Sequence, residues 1–193
     1  MAIKIENLSK SFGEKSIIRD VSFTVPDKGI FGIFGDSGCG KTTLLRIISG
    51  LDTPSSGKIS GNENLKLSVV FQEDRLLPNQ TVLKNVSIIS DGETALKCLK
   101  AVHLDDSAGL KTEELSGGMG RRAAITRALA YNGDLFLLDE PFKGLESELK
   151  DEFFALFEEI AKTKPVVIIT HDEQIKSKIP DFIKLHRDIP AKN

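Results

Sequence analysis

The sequence predicts an α/β domain with a mainly parallel sheet, an N-terminal antiparallel β part and a small inserted α-helical lobe. Three observations carry that prediction. Short apolar runs of strand length alternate with helical periods, the order of a layered α/β core. The runs at 135–139 and 166–170 are short and continuously apolar, as expected of strands covered on both faces of a parallel sheet. Between them and the β-rich opening, from about residue 76 to 130, the texture turns helical, with no convincing strand before Leu135. With 193 residues and 40% hydrophobic content, the chain can bury a core as a single domain spanning 1–193.

Taken in order, residues 3–8 and 21–25 carry alternating or β-branched apolar side chains and read as strands. Asp27-Lys28-Gly29 is a turn before the run 30–34. Residues 35–40 are glycine-rich and break the strand, and 41–49 have helical spacing closed by Gly50, which suits a helix C-cap. Pro54-Ser55-Ser56-Gly57 and Gly61-Asn62-Glu63-Asn64 are turns around a short strand, and 67–71 is a further strand that delivers Gln72 at its end. Helical spacing follows at 81–87, 94–102 and part of 104–110, then from 118 to 131. Residues 146–162 form an amphipathic helix with Leu149, Phe153, Leu156, Phe157 and Ile160 on one side.

Composition narrows the function. The formal charge of −2 and the mixed scatter of charged residues leave no basic stripe for nucleic-acid phosphates, so direct DNA or RNA binding is not expected. No apolar run approaches the length of a membrane helix, and the N-terminus lacks a signal-peptide pattern, so a soluble, cytoplasmic chain is expected. The two cysteines, Cys39 and Cys98, have neither metal-ligand spacing nor the numbers for a disulfide framework.

Chemistry concentrates in a few stretches. Gly35-Asp36-Ser37-Gly38-Cys39-Gly40-Lys41-Thr42 matches G-x-x-x-x-G-K-[ST] between a strand and a helix, the context of a P-loop NTPase core. Its glycines let the backbone wrap phosphates, with Gly35, Ser37, Gly38, Cys39, Gly40, Lys41, Thr42 and Thr43 as the expected nucleotide-binding set. Lys41 is expected on the β and γ phosphates and Thr42 on Mg²⁺. Asp139 and Glu140 end a buried strand, where two adjacent carboxylates are costly unless a cation or hydrogen bonds compensate them. Asp139 is therefore a metal candidate and Glu140 a candidate base for the attacking water. Gln72 would touch both metal and water, and His171, after the last strand, would reach the γ phosphate; the plainer readings are a surface glutamine and a polar strand cap. Leu115-Ser116-Gly117-Gly118-Met119 offers a hydroxyl and backbone donors at a helix start, a second phosphate-seeking element that suggests a site shared between two copies.

The order of phosphate loop, Gln72, 115–119, Asp139-Glu140 and His171 resembles the ATPase subunit of ABC transporters along nearly the whole chain. Val70-Phe71-Gln72-Glu73-Asp74-Arg75-Leu76-Leu77-Pro78, Thr81-Val82-Leu83-Lys84-Asn85-Val86 and Leu138-Asp139-Glu140-Pro141-Phe142 are most similar to bacterial importers of the nitrate, sulfonate, taurine and bicarbonate group. The resemblance implies ATP and Mg²⁺ as cofactors and a head-to-tail homodimer, each phosphate loop closing on ATP against Ser116 and Gly118 of the other copy. It implies an integral membrane permease as partner, a solute-binding protein in the same system, and a peripheral position on the inner face of the membrane. Phe12 is expected to stack on adenine, with a partly buried core phenylalanine as the alternative, and Val21 to flank the base.

The sequence departs from the family at Gly120, usually Gln, Arg or Lys, and at Glu146, usually an aspartate that communicates across the dimer. The stretch from Gln72 to Leu115 looks short, and the segment after 182–185 looks trimmed. The trimmed lobe and Glu146 keep a low-turnover nucleotide switch open, and the sequence separates transport only weakly from an ATPase driving a non-transport or lipid-extracting envelope complex. A GTPase or kinase outside the family is disfavoured by the absence of an Asn-Lys-x-Asp guanine reader. Cys39 is read as a tolerated loop residue or a redox handle, Cys98 as core packing, and His103 and His186 are given no partner.

Overall fold

Alternating apolar residues at the start of the chain build one sheet, and continuous apolar runs build a second. The computed structural model describes residues 2–186. Strand β1 (Ile3–Phe12) pairs antiparallel with β2 (Lys15–Val25) and, on its other side, with β4 (Ser56–Ser60). Both β1 and β2 run beyond the apolar stretches 3–8 and 21–25, because ladder hydrogen bonds continue where the outer face is polar and exposed. The second sheet holds β3 (Gly29–Gly35), β5 (Leu67–Val70), β6 (Leu135–Asp139), β7 (Pro165–Ile169) and β8 (Asp181–Leu185). Its order is β5-β6-β7-β3-β8, every pair parallel.

The parallel sheet is the middle of three layers. Every residue of β6 and β7 is buried, and the strand period of two sends their side chains to opposite faces. Leu135 and Leu137 join β1, β2 and the helix α1 (Lys41–Ile48) in one core cluster, while Phe136 and Leu138 join the other helices in a second. That second layer contains α2 (Val82–Ser87), α3 (Gly92–Ala101) and α4 (Gly117–Tyr131), which pack on one another, and α5 (Ser147–Ala161). The short α6 (Glu173–Lys176) leads into β8.

Caps set the helix boundaries. Thr81 accepts from the Lys84 amide and Asp91 from the Thr94 amide, so α2 and α3 begin directly after them. Residues 104–110 form no α-helix; Asp105–Ser107 is a single 3-10 turn with no buried side chain to drive a longer one. The apolar face of α5 is wider than its period suggested. Phe154 is buried beside Phe153 and Phe157, its ring centroid 6.3 Å from that of Phe142, while Leu149, Leu156 and Ile160 are only partly covered. Cys98 packs half-buried against the helical cluster, and burial pushes its thiol up. His103, expected to lack a partner, has its Nε2 3.0 Å from Glu152 Oε2 on α5, a pairing across elements that sequence spacing does not reveal. His186 is exposed at the end of the described residues.

The carboxyl ends of β3, β5, β6 and β7 deliver Gly35, Gln72, Asp139 with Glu140, and His171 to one edge of the sheet, where open α/β sheets gather ligand sites.

Candidate functional site

The loop that leaves β3 can take its path only with glycine at two places. Gly35 has φ 145°, and a Cβ there would lie 2.4 Å from the Leu185 carbonyl. Gly40, the N-cap of α1, has φ 99°, and a Cβ would press on Ile17 and Ile18 at 3.0–3.1 Å. No side chain caps α1, so its first amides remain open to an anion. Lys41 Nζ meanwhile bridges the carbonyls of Gly35 and Asp36 at 2.7 and 2.9 Å, folded back over its own loop.

This loop forms one wall of an open cavity of about 1280 Å³. Gly35, Ser37, Gly38, Gly40, Lys41, Thr42 and Thr43 line it, together with Gln72, Asp139, Glu140 and His171. Cys39 does not. Its side chain is 2% exposed and packs in the core cluster below the loop, and its amide donates to the Asp36 carbonyl at 3.3 Å. A small apolar thiol in the middle of the loop finds the core more favourable than the cavity.

Opposite the loop, Thr42 Oγ1 donates to Asp139 Oδ2 at 2.7 Å. Asp139 is 1% exposed. Burial raises its carboxyl above the usual range and the neighbouring Glu140 charge adds to the rise, while the Thr42 hydroxyl, Lys41 and Arg121 oppose it. Glu140 sits at φ 51°, a left-handed conformation that costs a non-glycine residue on the order of 1–3 kcal/mol. Its backbone amide donates to the Ile169 carbonyl at 2.8 Å, and both carboxylate oxygens are engaged: Thr170 Oγ1 donates to Oε2 at 3.1 Å, and His171 Nδ1 lies 2.6 Å from Oε1. The side chain is thereby aimed from two consecutive residues at the end of β7.

Four further expected residues lie outside the cavity. Phe12 is 54% exposed with Lys10 Nζ 4.8 Å from its ring centroid, so it is not a core phenylalanine. Val21 is half-buried and does not line the cavity; Ile17, four residues earlier on β2, does. Ser116 is the N-cap of α4, accepting from the Met119 amide at 3.3 Å, and is exposed, as Gly117 beside it is. Gly118 approaches the Gly144 carbonyl, which a Cβ would meet at 3.2 Å. Sequence reading missed Thr170 and Ile17. Their only signals were the place of Thr170 beside His171 at a strand end and that of Ile17 at the start of an apolar strand pair.

Comparison with known proteins identifies the family and the fold. The family model described as ABC transporter matches residues 18–143. The aliphatic sulfonates import ATP-binding protein SsuB 1 of Agrobacterium fabrum is 38% identical over 182 residues, covering 89% of this chain and 66% of that protein. The SsuB protein of Zymomonas mobilis is 37% identical over 183 residues, covering 89% of this chain and 76% of its own length. Among solved structures, the dimeric bacterial ABC transporter cassette MJ0796 superposes with a TM-score of 0.89 at 31% identity, covering 95% of this chain and 94% of that one. A post-hydrolysis state of the same cassette, bound to ADP and Pi, gives 0.86 at 30% identity, covering 97% of each chain.

Proposed function

The chain belongs to the ABC transporter family, and on that premise we propose that it is an ATP-hydrolysing subunit that powers import of a small solute through a separate membrane permease. The observation that carries the chemistry is the cavity itself, which gathers an uncapped helix start, Lys41, Gln72, Asp139, Glu140 and His171 around a space fit for a nucleotide's phosphates. Lys41 would exchange the carbonyls of Gly35 and Asp36 for phosphate oxygens. Thr42, Asp139 and Gln72 bring a hydroxyl, a buried carboxylate and an amide to one cavity, a hard oxygen set that suits Mg²⁺ completed by phosphates and water. Among the described residues no group of three or more His, Cys, Asp or Glu forms a metal cage, which also fits a cation held largely by its substrate. When bound, that cation neutralises charge on the phosphate oxygens.

Glu140 accepts a proton from the attacking water, and the hydrogen bonds from Thr170 and His171 fix where its oxygens point. His171, 71% exposed on its side chain, can leave Glu140 for the γ phosphate without a large loss of packing. Ser116, exposed at the start of α4, and the half-buried Gly118 close on the ATP of a second copy, so two chains make two composite sites. The dimeric neighbour structures support that pairing. We assign α2, α3 and α4 to the helical lobe, residues 76–130, that meets the permease; the exposed apolar side chains of Leu77, Ile88, Ile89 and Leu96 support a protein partner there. No helix among the described residues is long and apolar enough to cross a membrane, so the permease would hold the subunit at the inner face. A solute-binding protein completes the system.

Glu140→Gln tests the reading. It should retain binding of a fluorescent ATP analogue while phosphate release falls at least about a hundredfold, the lower range for loss of a positioned base. An unchanged release rate removes Glu140 from the role of base. A permease that co-purifies and raises the ATPase rate in a solute-dependent way is the expected result for transport.

A further inference from the structure

The mechanism above makes no use of a deeply buried guanidinium on α4. Arg121, 4% exposed, lies on the second turn of α4 and points at the segment that carries Gln72. Its Nη1 donates to the Phe71 carbonyl at 2.7 Å, its Nη2 donates to the Gln72 carbonyl, and its Nε lies 3.2 Å from Asp74 Oδ1. Farther along the same helix, Arg127 donates to the carbonyls of Arg75 and Asp74 at 2.8 and 3.1 Å. The helix thus holds residues 71–75 by their backbone, and a planar guanidinium with fixed donor directions transmits displacement better than a flexible ammonium would.

Gly120 belongs to this device. A Cβ on it would lie 2.9 Å from Asp74 Oδ2, so the carboxylate rests on bare helix backbone beside Arg121. The departure at Gly120 is the seat of Asp74.

We propose that Arg121 is a positioning residue that joins the Gln72 loop and the Ser116 end of α4 into one rigid body, so that nucleotide sensed by Gln72 moves the serine that closes on the second copy's ATP. Ser116 precedes Arg121 by five residues, roughly 7.5 Å along a helix axis, and its hydroxyl accepts from the Met119 amide, which ties it to the first turn of the same helix. The inference rests on the two-copy reading of Ser116.

The experiment uses the Glu140→Gln chain, in which hydrolysis is blocked, with a fluorescent ATP analogue for monomer binding and sedimentation for ATP-driven dimerisation. Arg121→Met should leave monomer binding within about twofold and weaken dimerisation by about tenfold or more, the scale for truncating a buried hydrogen-bonded charge. Arg121→Lys should fall between the two. Adding Gln72→Ala to Arg121→Met should cause no further loss, since residues that act through one another are not additive. Dimerisation of Arg121→Met at the parent's strength, or full additivity with Gln72→Ala, overturns the proposal. Should Arg121→Met fail to fold, Asp74→Asn, partly exposed, replaces it, with weaker dimerisation expected and parental dimerisation overturning. Ser116→Arg is run in parallel. If it dimerises normally, the two-copy reading has failed; if it does not while Arg121→Met does, the latch alone has failed.

Discussion

Asp172 shows how a single side chain ties the cavity edge of the sheet to the helical layer. It follows His171, caps α6 by accepting from the Gln174 amide at 3.0 Å, and pairs with Lys150 of α5 at 2.6 Å. Burial alone would push its carboxyl up, yet the hydrogen bond and charge of Lys150, with the amides of Ile175 and Gln174, hold it below the ordinary value of 3.8. A depressed carboxyl stabilises the fold fully above its unfolded value, and that contribution disappears as pH falls through the lower folded value. Asp172→Asn should therefore cost about 0.5–1 kcal/mol in urea unfolding at neutral pH, the scale of a solvent-screened pair, and nothing once the medium is acid enough to protonate both states. Other residues were legible from sequence to differing degrees. Lys41, Thr42, Asp139 and Glu140 stand in short contiguous motifs whose backbone geometry is local, and the cavity gathers them. Cys39 and Phe12 were not legible in the same way, because whether a side chain enters a cavity, a core or solvent depends on packing partners far away in sequence.

Among the elements, β6, β7 and α5 were the most readable, because burial on two faces or along one stripe imposes a period on the residues themselves. The parallel order β5-β6-β7-β3-β8 was not readable from any local period, since pairing is chosen by which strands the crossover helices bring together. The core of α5 offers a test of that packing. Phe157 is fully buried, with its ring centroid 6.2 Å from that of Phe142, which stands two residues after Glu140. Phe157→Ala should destabilise the chain by about 3–5 kcal/mol in denaturant unfolding, the range for deleting a buried aromatic. A cost near 1 kcal/mol would mean that α5 is not clamped on the sheet as described.

At the scale of the whole molecule, the cavity and the exposed start of α4 are separate surfaces of one chain, which is why the proposed function brings in a second copy. Ser116→Arg places a bulky cation at that surface without touching the cavity. Sedimentation should show ATP-driven dimerisation lost, with ATP-analogue binding to the monomer within about twofold of the parent, as expected when only a partner-facing residue changes. If both fall together, Ser116 serves its own chain's cavity instead. The sequence alone determined that this protein has a phosphate loop between strand and helix, a paired acidic strand end and an α/β layering, because each is written in adjacent residues or in a period of two or 3.6. Only the tertiary structure decided that Thr170 and His171 hold Glu140, that Cys39 turns into the core, and that Arg121 grips the Gln72 loop over Gly120. The hydrogen bonds among them join residues 30 to 50 positions apart, and the free energy that selects these contacts comes from close packing and satisfied buried polar groups, which no local stretch contains.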